Sequence, residues 1–263
     1  MPRFCAHLGY QFTEVPFAAR FDAAANAGFT AIEFPAPYNV PAAELAERLR
    51  RRDLAWIQFA LPMGNVAADE KGITCHPGRE RDIEQNLARA ISYATTLNCS
   101  RIHAMSGIVP ANVSVAEALA TYTDNLRYIA DTASKFGLEV LVESINSRDV
   151  PGYLVDRPSL ALDILEHCAR PNLRILVDTY HAVTMGEDPV ALIRTHAAAV
   201  GHVQVADHPG RHEPGTGTIP FANFFDTLDT HGYTGWVGCE YLPAGRTEDG
   251  LGWLEPYFGR ANR

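Results

Sequence analysis

Apolar runs of strand length recur along this chain, and several stop abruptly at polar groups. The sharpest is Leu173-Arg174-Ile175-Leu176-Val177-Asp178-Thr179-Tyr180-His181, where β-branched and aliphatic residues give way to a carboxylate and then an imidazole. A strand buried on both faces of a sheet reads this way, and polar groups at its C-terminal end face whatever pocket the sheet builds. The runs Glu139 to Glu143, His202 to Asp207 and Trp236 to Glu240 end alike. Glu143, Asp178, Gln204 and Glu240 are therefore expected to converge.

Each run is followed by a segment of helical period. Phe4 to Leu8 precedes a helix from Pro16 to Ala27 that Gly28 stops, and Ala31 to Phe34 precedes one from Pro41 to Arg51. Leu54 to Ala60 leads, after a long loop, to a helix from Arg79 to Leu97 with Ile83, Leu87, Ala90, Ile91 and Ala94 on one stripe. Arg101 to Met105 is followed by a helix from Val115 to Phe136, closed by Gly137. Glu139 to Glu143 pairs with Pro158 to Cys168, where Pro158 suits a first helical turn, and Leu173 to Asp178 pairs with Pro189 to Ala198. His202 to Ala206 leads to Pro220–Thr230, and Gly235 to Glu240 to a last helix over Thr247–Phe258.

Strict strand–helix alternation predicts a parallel sheet, because every parallel return needs a crossover. Eight such units fit a closed (β/α)8 TIM barrel better than an open sheet. No low-complexity linker divides the chain, so residues 1–263 are expected to form a single domain. The longest irregular stretch, Leu61 to Gly78, follows a strand and is read as a lid or as a plain surface excursion.

Composition narrows the class of function. The formal net charge of -9 repels phosphate backbones at long range, and no local basic groove offsets it, which disfavours a nucleic-acid partner. Cys5, Cys75, Cys99, Cys168 and Cys239 are odd in number and lack any C-x-x-C spacing, which points to free thiols in a reducing compartment. The N-terminus enters a strand at once, without the apolar segment of a signal peptide or membrane span, so a cytoplasmic protein without a membrane partner is expected.

In a barrel the strand ends face a shared pocket, and here they gather three carboxylates and an amide. Three negative charges in one pocket repel, so either protons are shared through raised pKa values or a divalent cation neutralises them. All four side chains offer oxygen, which suits Mg2+ or Mn2+ better than a zinc site rich in thiolate or imidazole. Taken singly, each acid could as well cap a helix or pair with a rim base; the constellation carries the argument. His181 lies close enough to Asp178 to bind a substrate hydroxyl or carbonyl. Arg211 offers a forked cation to an anionic substrate, and Arg79 is a weaker candidate of the same kind. His7 and His103 either line the pocket or are core histidines satisfied by neighbours, and Gly215-Thr216-Gly217 reads as turn chemistry. The absence of G-x-G-x-x-G after the first strand, of a Walker loop, of H-E-x-x-H and of G-x-S-x-G removes support for hydride transfer, phosphoryl transfer, serine hydrolysis and a nucleotide cofactor.

At these residues the chain resembles the hydroxypyruvate isomerase family of the xylose-isomerase-like TIM barrels. The resemblance is carried by Met1-Pro2-Arg3-Phe4, the stretch from Gly64 to Glu80, Val142-Glu143-Ser144-Ile145-Asn146, Asp178-Thr179-Tyr180-His181, Gly201 to Asp207, His212-Glu213-Pro214-Gly215-Thr216-Gly217 and Gly235 to Tyr241. It implies the barrel, with Glu143 and Glu240 as an acid/base pair and Asp178 and Gln204 at the remaining metal positions. A histidine often stands at the position of Gln204 in the wider superfamily, and an amide ligates less firmly, so the implied metal is weakly held or dispensable. The implied reaction is an aldose–ketose isomerisation through an enediolate, interconverting hydroxypyruvate and tartronate semialdehyde, or the corresponding 2-oxo-tetronates, with the substrate carboxylate against Arg211. A ketose 3-epimerase, a metal-dependent endonuclease of abasic DNA and a non-catalytic sugar-acid binding protein are the rivals. Barrels of this kind often pair as homo-oligomers, and the sequence carries no interface signal either way.

Overall fold

The computed structural model describes residues 2–65, 67 and 70–258. Its strands are β1 (Arg3–His7), β2 (Ala31–Glu33), β3 (Ala55–Trp56), β4 (Phe59–Ala60), β5 (Arg101–His103), β6 (Glu139–Glu143), β7 (Leu173–Asp178), β8 (Val200–Val205) and β9 (Trp236–Cys239). They are ordered β3-β2-β1-β9-β8-β7-β6-β5-β4, with each ladder parallel. β3 and β4 stand at the two ends of this order yet are separated along the chain only by Ile57 and Gln58. They are two halves of one stave, and the sheet closes there into a TIM barrel of eight staves.

The helices α1 (Phe17–Asn26), α2 (Ala42–Arg52), α3 (Glu80–Leu97), α4 (Val115–Ser134), α5 (Pro158–Cys168), α6 (Thr179–Thr184), α7 (Pro189–His196), α8 (Phe221–Thr230) and α9 (Glu255–Phe258) fall between and after the staves. The stripe expected on α3 is the face it buries: Ile83, Leu87, Ala90, Ile91 and Ala94. Its chain leaves the helix through Asn98 in the left-handed conformation, and Asp53 and Ala169 end α2 and α5 in the same way. Ser114 caps α4 by accepting from Glu117 N. The last segment expected as one helix is a 3-10 stretch over Thr247–Leu254 that passes into α9. Trp253 stacks on Phe225, with ring centroids 6.1 Å apart, and meets Phe4 edge-on at 5.2 Å, which fastens this segment to α8 and β1.

The main core lies between the staves and the helices. A small cluster of Cys5, Ala31 and Ile57 lies apart from it. All five cysteines are free and buried. In the long loop before α3, Ile73, Thr74 and Cys75 are buried, with Cys75 N donating to Ser106 O at 2.9 Å and Asn125 Nδ2 to Thr74 O at 2.8 Å. Residues 66, 68 and 69, on which part of the lid expectation falls, lie outside the described residues, as does Met1. No helix among the described residues is long and apolar enough to cross a membrane.

Candidate active site

Because the staves are parallel, His7, Glu33, His103, Glu143 and Asp178, each the last residue of its strand, emerge at one end of the barrel. Gln204 stands on β8 opposite Asp178 in register, and Glu240 follows β9 directly. Asp178 also starts α6. Its Oδ1 accepts from Tyr180 N at 2.7 Å and His181 N at 3.1 Å, while Oδ2 is buried without a hydrogen-bond partner. One carboxylate thus holds a helix N-terminus with one oxygen and presents the other to the pocket.

That helix aims His181. Asn146 Nδ2 donates to His181 Nδ1 at 2.6 Å and to Asp149 Oδ2 at 3.0 Å, which leaves His181 Nε2 3.9 Å from Glu143 Oε1. Burial is the main cause that lowers the His181 pKa to about 4, so its imidazole is neutral at pH 7. His103 Nδ1 lies 3.5 Å from Glu143 Oε2, and burial likewise brings His103 to about 3. Glu143 is buried, and its pKa is held well above the carboxylate range, first by desolvation and then by the charges of Glu240 and Asp178.

Glu240 has a cation. Arg211 Nη2 donates to Glu240 Oε1 at 2.8 Å and stands 4.0 Å from Asp178 Oδ2 and 3.4 Å from His181 Nε2. Desolvation still outweighs Arg211 and raises Glu240 to about 8. The guanidinium is sandwiched between the rings of Tyr10 and Tyr180, its carbon 5.0 Å from each centroid. Arg211 itself is left-handed at φ 55°, and its N–H donates to Asp207 O at 2.8 Å. Asp207 organises this loop: its carboxylate accepts from Gly215 N at 2.9 Å, Gly217 N at 2.8 Å and Ile219 N at 3.0 Å. The glycine run is turn chemistry, bound to a carboxylate of the chain itself. A Cβ on Gly217 would stand 2.1 Å from His208 O, which is why no side chain is present there. On the far side of Glu240, His7 Nε2 lies 3.4 Å from Oε2, and His7 Nδ1 accepts from Gly9 N at 3.2 Å. Burial brings His7 to about 4.

Of the residues expected from sequence, Glu143, Asp178, His181, Arg211 and Glu240 form one connected set of contacts. Gln204 Nε2 donates to Glu33 at 2.8 Å, and Glu33, His7 and Glu240 each offer an atom within 4.8 Å of the others. Arg79 is placed elsewhere, at the start of α3, where it pairs with Asp82 and, at 3.0 Å, with Glu70. Glu33, Asn146, Tyr10 and Tyr180 belong to the site without having been singled out. Glu33 carried the same signal as the others, an apolar run closed by an acid, in a strand of three residues. Open surface grooves, such as that between α4 and α5 lined by Leu119, Leu160 and Ile164, contain none of these residues.

The donor set fits a hard divalent cation. Glu143 and Asp178 each offer a carboxylate oxygen within 4.8 Å of the other, beside His181, whose Nδ1 is taken by Asn146. Asp178 Oδ2 and Gln204 Oε1 are buried acceptors without a donor among the described residues. Unpartnered oxygens beside carboxylates of raised pKa are what Mg2+ or Mn2+ satisfies.

The profile of the xylose isomerase-like TIM barrel family matches residues 21–257. Over 260 residues the chain is 42% identical to the 2-oxo-tetronate isomerase of Cupriavidus necator, covering 99% of this chain and 100% of that one. Over 257 residues it is 40% identical to the hydroxypyruvate isomerase of Escherichia coli, covering 98% and 100%. A crystal structure described as an AP endonuclease, family 2, from Brucella melitensis superposes with a TM-score of 0.95 at 42% identity, covering 98% of this chain and 99% of that one.

Proposed function

Because the chain belongs to the xylose isomerase-like TIM barrel family, we propose that its site interconverts hydroxypyruvate and tartronate semialdehyde by proton transfer through an enediolate. It is an isomerase, of the aldose–ketose kind. The observation that carries the reading is a pair of buried glutamates of raised pKa, Glu143 and Glu240, with one guanidinium bound to the second. Such a pair supplies an acid and a base at one carbon centre.

Glu240, the one with a guanidinium bound to it, is the base. The substrate carboxylate meets Arg211 as a forked partner, and the guanidinium, kept beside Glu240, favours the ionised form in which Glu240 acts as a base. It takes a proton from C3, the carbon bearing the hydroxyl. Glu143, still protonated, delivers one to C2, and the hydroxyl proton passes from O3 to O2. C3 is thereby oxidised to the aldehyde and C2 reduced to the alcohol, with no outside electron carrier. His181 Nε2–H faces the site and donates to the enediolate oxygen. Glu143, Asp178, Gln204 and Glu240 are the residues that would hold a divalent cation, which when bound supplies Lewis-acid stabilisation of that oxygen.

A four-carbon 2-oxo-tetronate is the second reading, favoured by the 42% identity to the Cupriavidus enzyme; it needs only one more carbon beyond the same reacting pair. The five free thiols suit a reducing compartment, and we place the protein in the cytoplasm. The test is a product and solvent-proton exchange assay on hydroxypyruvate, 2-oxo-tetronates and ketohexoses, with and without chelator. Turnover of a short oxo-acid is expected. Turnover of neutral ketohexoses alone would make it an epimerase, and several zinc ions per chain would favour the endonuclease chemistry named for the Brucella relative.

A further inference from the structure

Glu33 has a fully buried carboxylate at the end of β2. It accepts from His202 Nε2 at 2.6 Å, Gln204 Nε2 at 2.8 Å and Gln58 Nε2 at 3.3 Å. Three N–H donors hold it as a carboxylate, and its pKa is depressed in spite of burial. To meet β8 from β2 the side chain must span β1 and β9. The sequence makes room for it: a Cβ on Gly238 of β9 would stand 2.1 Å from Glu33 Oε1 and 3.0 Å from Gln204 Cγ. Gly238 does not have the positive φ that would call for glycine, so space is the reason it is there.

The consequence falls on Gln204. An amide has a donor end and an acceptor end, and Glu33 takes the donor. Reversing the amide would set two acceptor oxygens against each other at hydrogen-bond distance. The acceptor end, Oε1, is therefore the one left over, buried and without a partner, on the residue paired in register with Asp178, whose Oδ2 is in the same condition.

We infer that Glu33 is a positioning residue, which locks the Gln204 amide with its carbonyl oxygen free beside Asp178 and polarises it into a divalent-cation ligand. The inference rests on the oxygen-donor cation site proposed above. An amide is a poor ligand alone; a carboxylate hydrogen-bonded behind it fixes its orientation and raises the electron density on its oxygen, as second-sphere carboxylates do for ligating histidines.

Two measurements test it, neither of them activity. In 15N-labelled, metal-free protein the Gln204 side-chain amide, assigned by its loss in Gln204→Glu, is expected to give two resolved, slowly exchanging protons; Glu33→Gln collapses that protection. By calorimetry with MnCl2, Glu33→Gln weakens Mn2+ binding about 10- to 100-fold. The double variant Glu33→Gln/Gln204→Glu, with donor and acceptor exchanged, recovers most of the affinity. Glu33→Asp keeps the charge but shortens the reach and gives the same loss, which serves if Glu33→Gln does not fold. A wild-type chain that binds no Mn2+ overturns the cation site and Glu33's part in it. A wild-type chain that binds, with a Glu33→Gln variant that binds as tightly and keeps its Gln204 amide signals, overturns the positioning role alone.

Discussion

Arg211 and Glu240 form a largely buried ion pair of 2.8 Å inside a site where two further carboxylates, Glu143 and Asp178, have no cation of their own within hydrogen-bond distance among the described residues. One positive charge is thus set against three acids, and the pair that does form leaves the others to hold protons or to await a ligand. The sandwich of Tyr10 and Tyr180 fixes the plane of the guanidinium while leaving its edge free to change partners.

Replacing Arg211 by Met removes both the counter-ion of Glu240 and the fork for a substrate carboxylate. Breaking a buried pair from one side costs on the order of 3 kcal/mol, which corresponds to about 150-fold in kcat/KM if it is expressed in the reaction. The loss is expected to be mostly in KM for hydroxypyruvate. The acid limb of the pH profile moves upward, because Glu240 without a cation ionises later. An unchanged KM with an unchanged acid limb would remove Arg211 from the site.

Glu143→Gln is expected to abolish turnover and to stabilise the fold. The folded-state pKa of Glu143 is raised, so the folded protein keeps a proton that the unfolded chain loses above the ordinary carboxylate value. Unfolding then releases that proton, and wild-type stability falls as pH rises from the unfolded pKa through the folded one. The amide cannot ionise and escapes this loss. In chelator, the melting temperature of Glu143→Gln is predicted to exceed that of wild type by a margin that grows as pH rises above the ordinary carboxylate value. A margin that is flat or shrinks over this range contradicts the raised pKa.

The barrel was legible because strands buried on both faces read as unbroken apolar runs, and the acids closing those runs stand out against them. The same rule should have reached Glu33, but Ala31-Ile32-Glu33 is too short a run to announce itself. α6 leaves no signal in the sequence for a related reason: it is six residues long, less than two turns, and begins directly after the last residue of a strand, so no helical period has room to develop before it ends. Leu54 to Ala60 reads as one strand because its apolar character is continuous. The break at Ile57 and Gln58 falls where the stave passes from pairing with β2 to pairing with β5, a feature of barrel closure with no local signature. Arg79 pairs with Asp82 three residues on, the spacing at which helix neighbours meet, and that pairing is readable from the sequence.

Mn2+ binding at pH 7 is expected to release protons. Glu240, at about 8, is largely protonated there, the raised pKa of Glu143 acts in the same direction, and the oxygen that ligates must be free of its proton. Calorimetry in two buffers of different ionisation enthalpy should find roughly one to two protons per ion. The affinity should rise with pH between about 6 and 8. Binding without proton release would mean that these two glutamates are not among the ligands.

Gly238→Ala is predicted to destabilise the protein by about 2 kcal/mol, because the added methyl enters space that Glu33 and Gln204 occupy and a closed barrel cannot widen at one stave without straining its neighbours. In a chain of this size that is a fall of about 4–8 °C in melting temperature. The cause can be isolated with Glu33→Ala, which is itself destabilising, since it strands the N–H groups of His202, Gln204 and Gln58. It nonetheless clears the volume the methyl needs. The two substitutions should therefore be non-additive, with Gly238→Ala costing much less in the Glu33→Ala background than in wild type. Strict additivity would show that the glycine is required for some reason other than the carboxylate crossing in front of it, and the path of Glu33 from β2 to β8 would lose its support in the sequence.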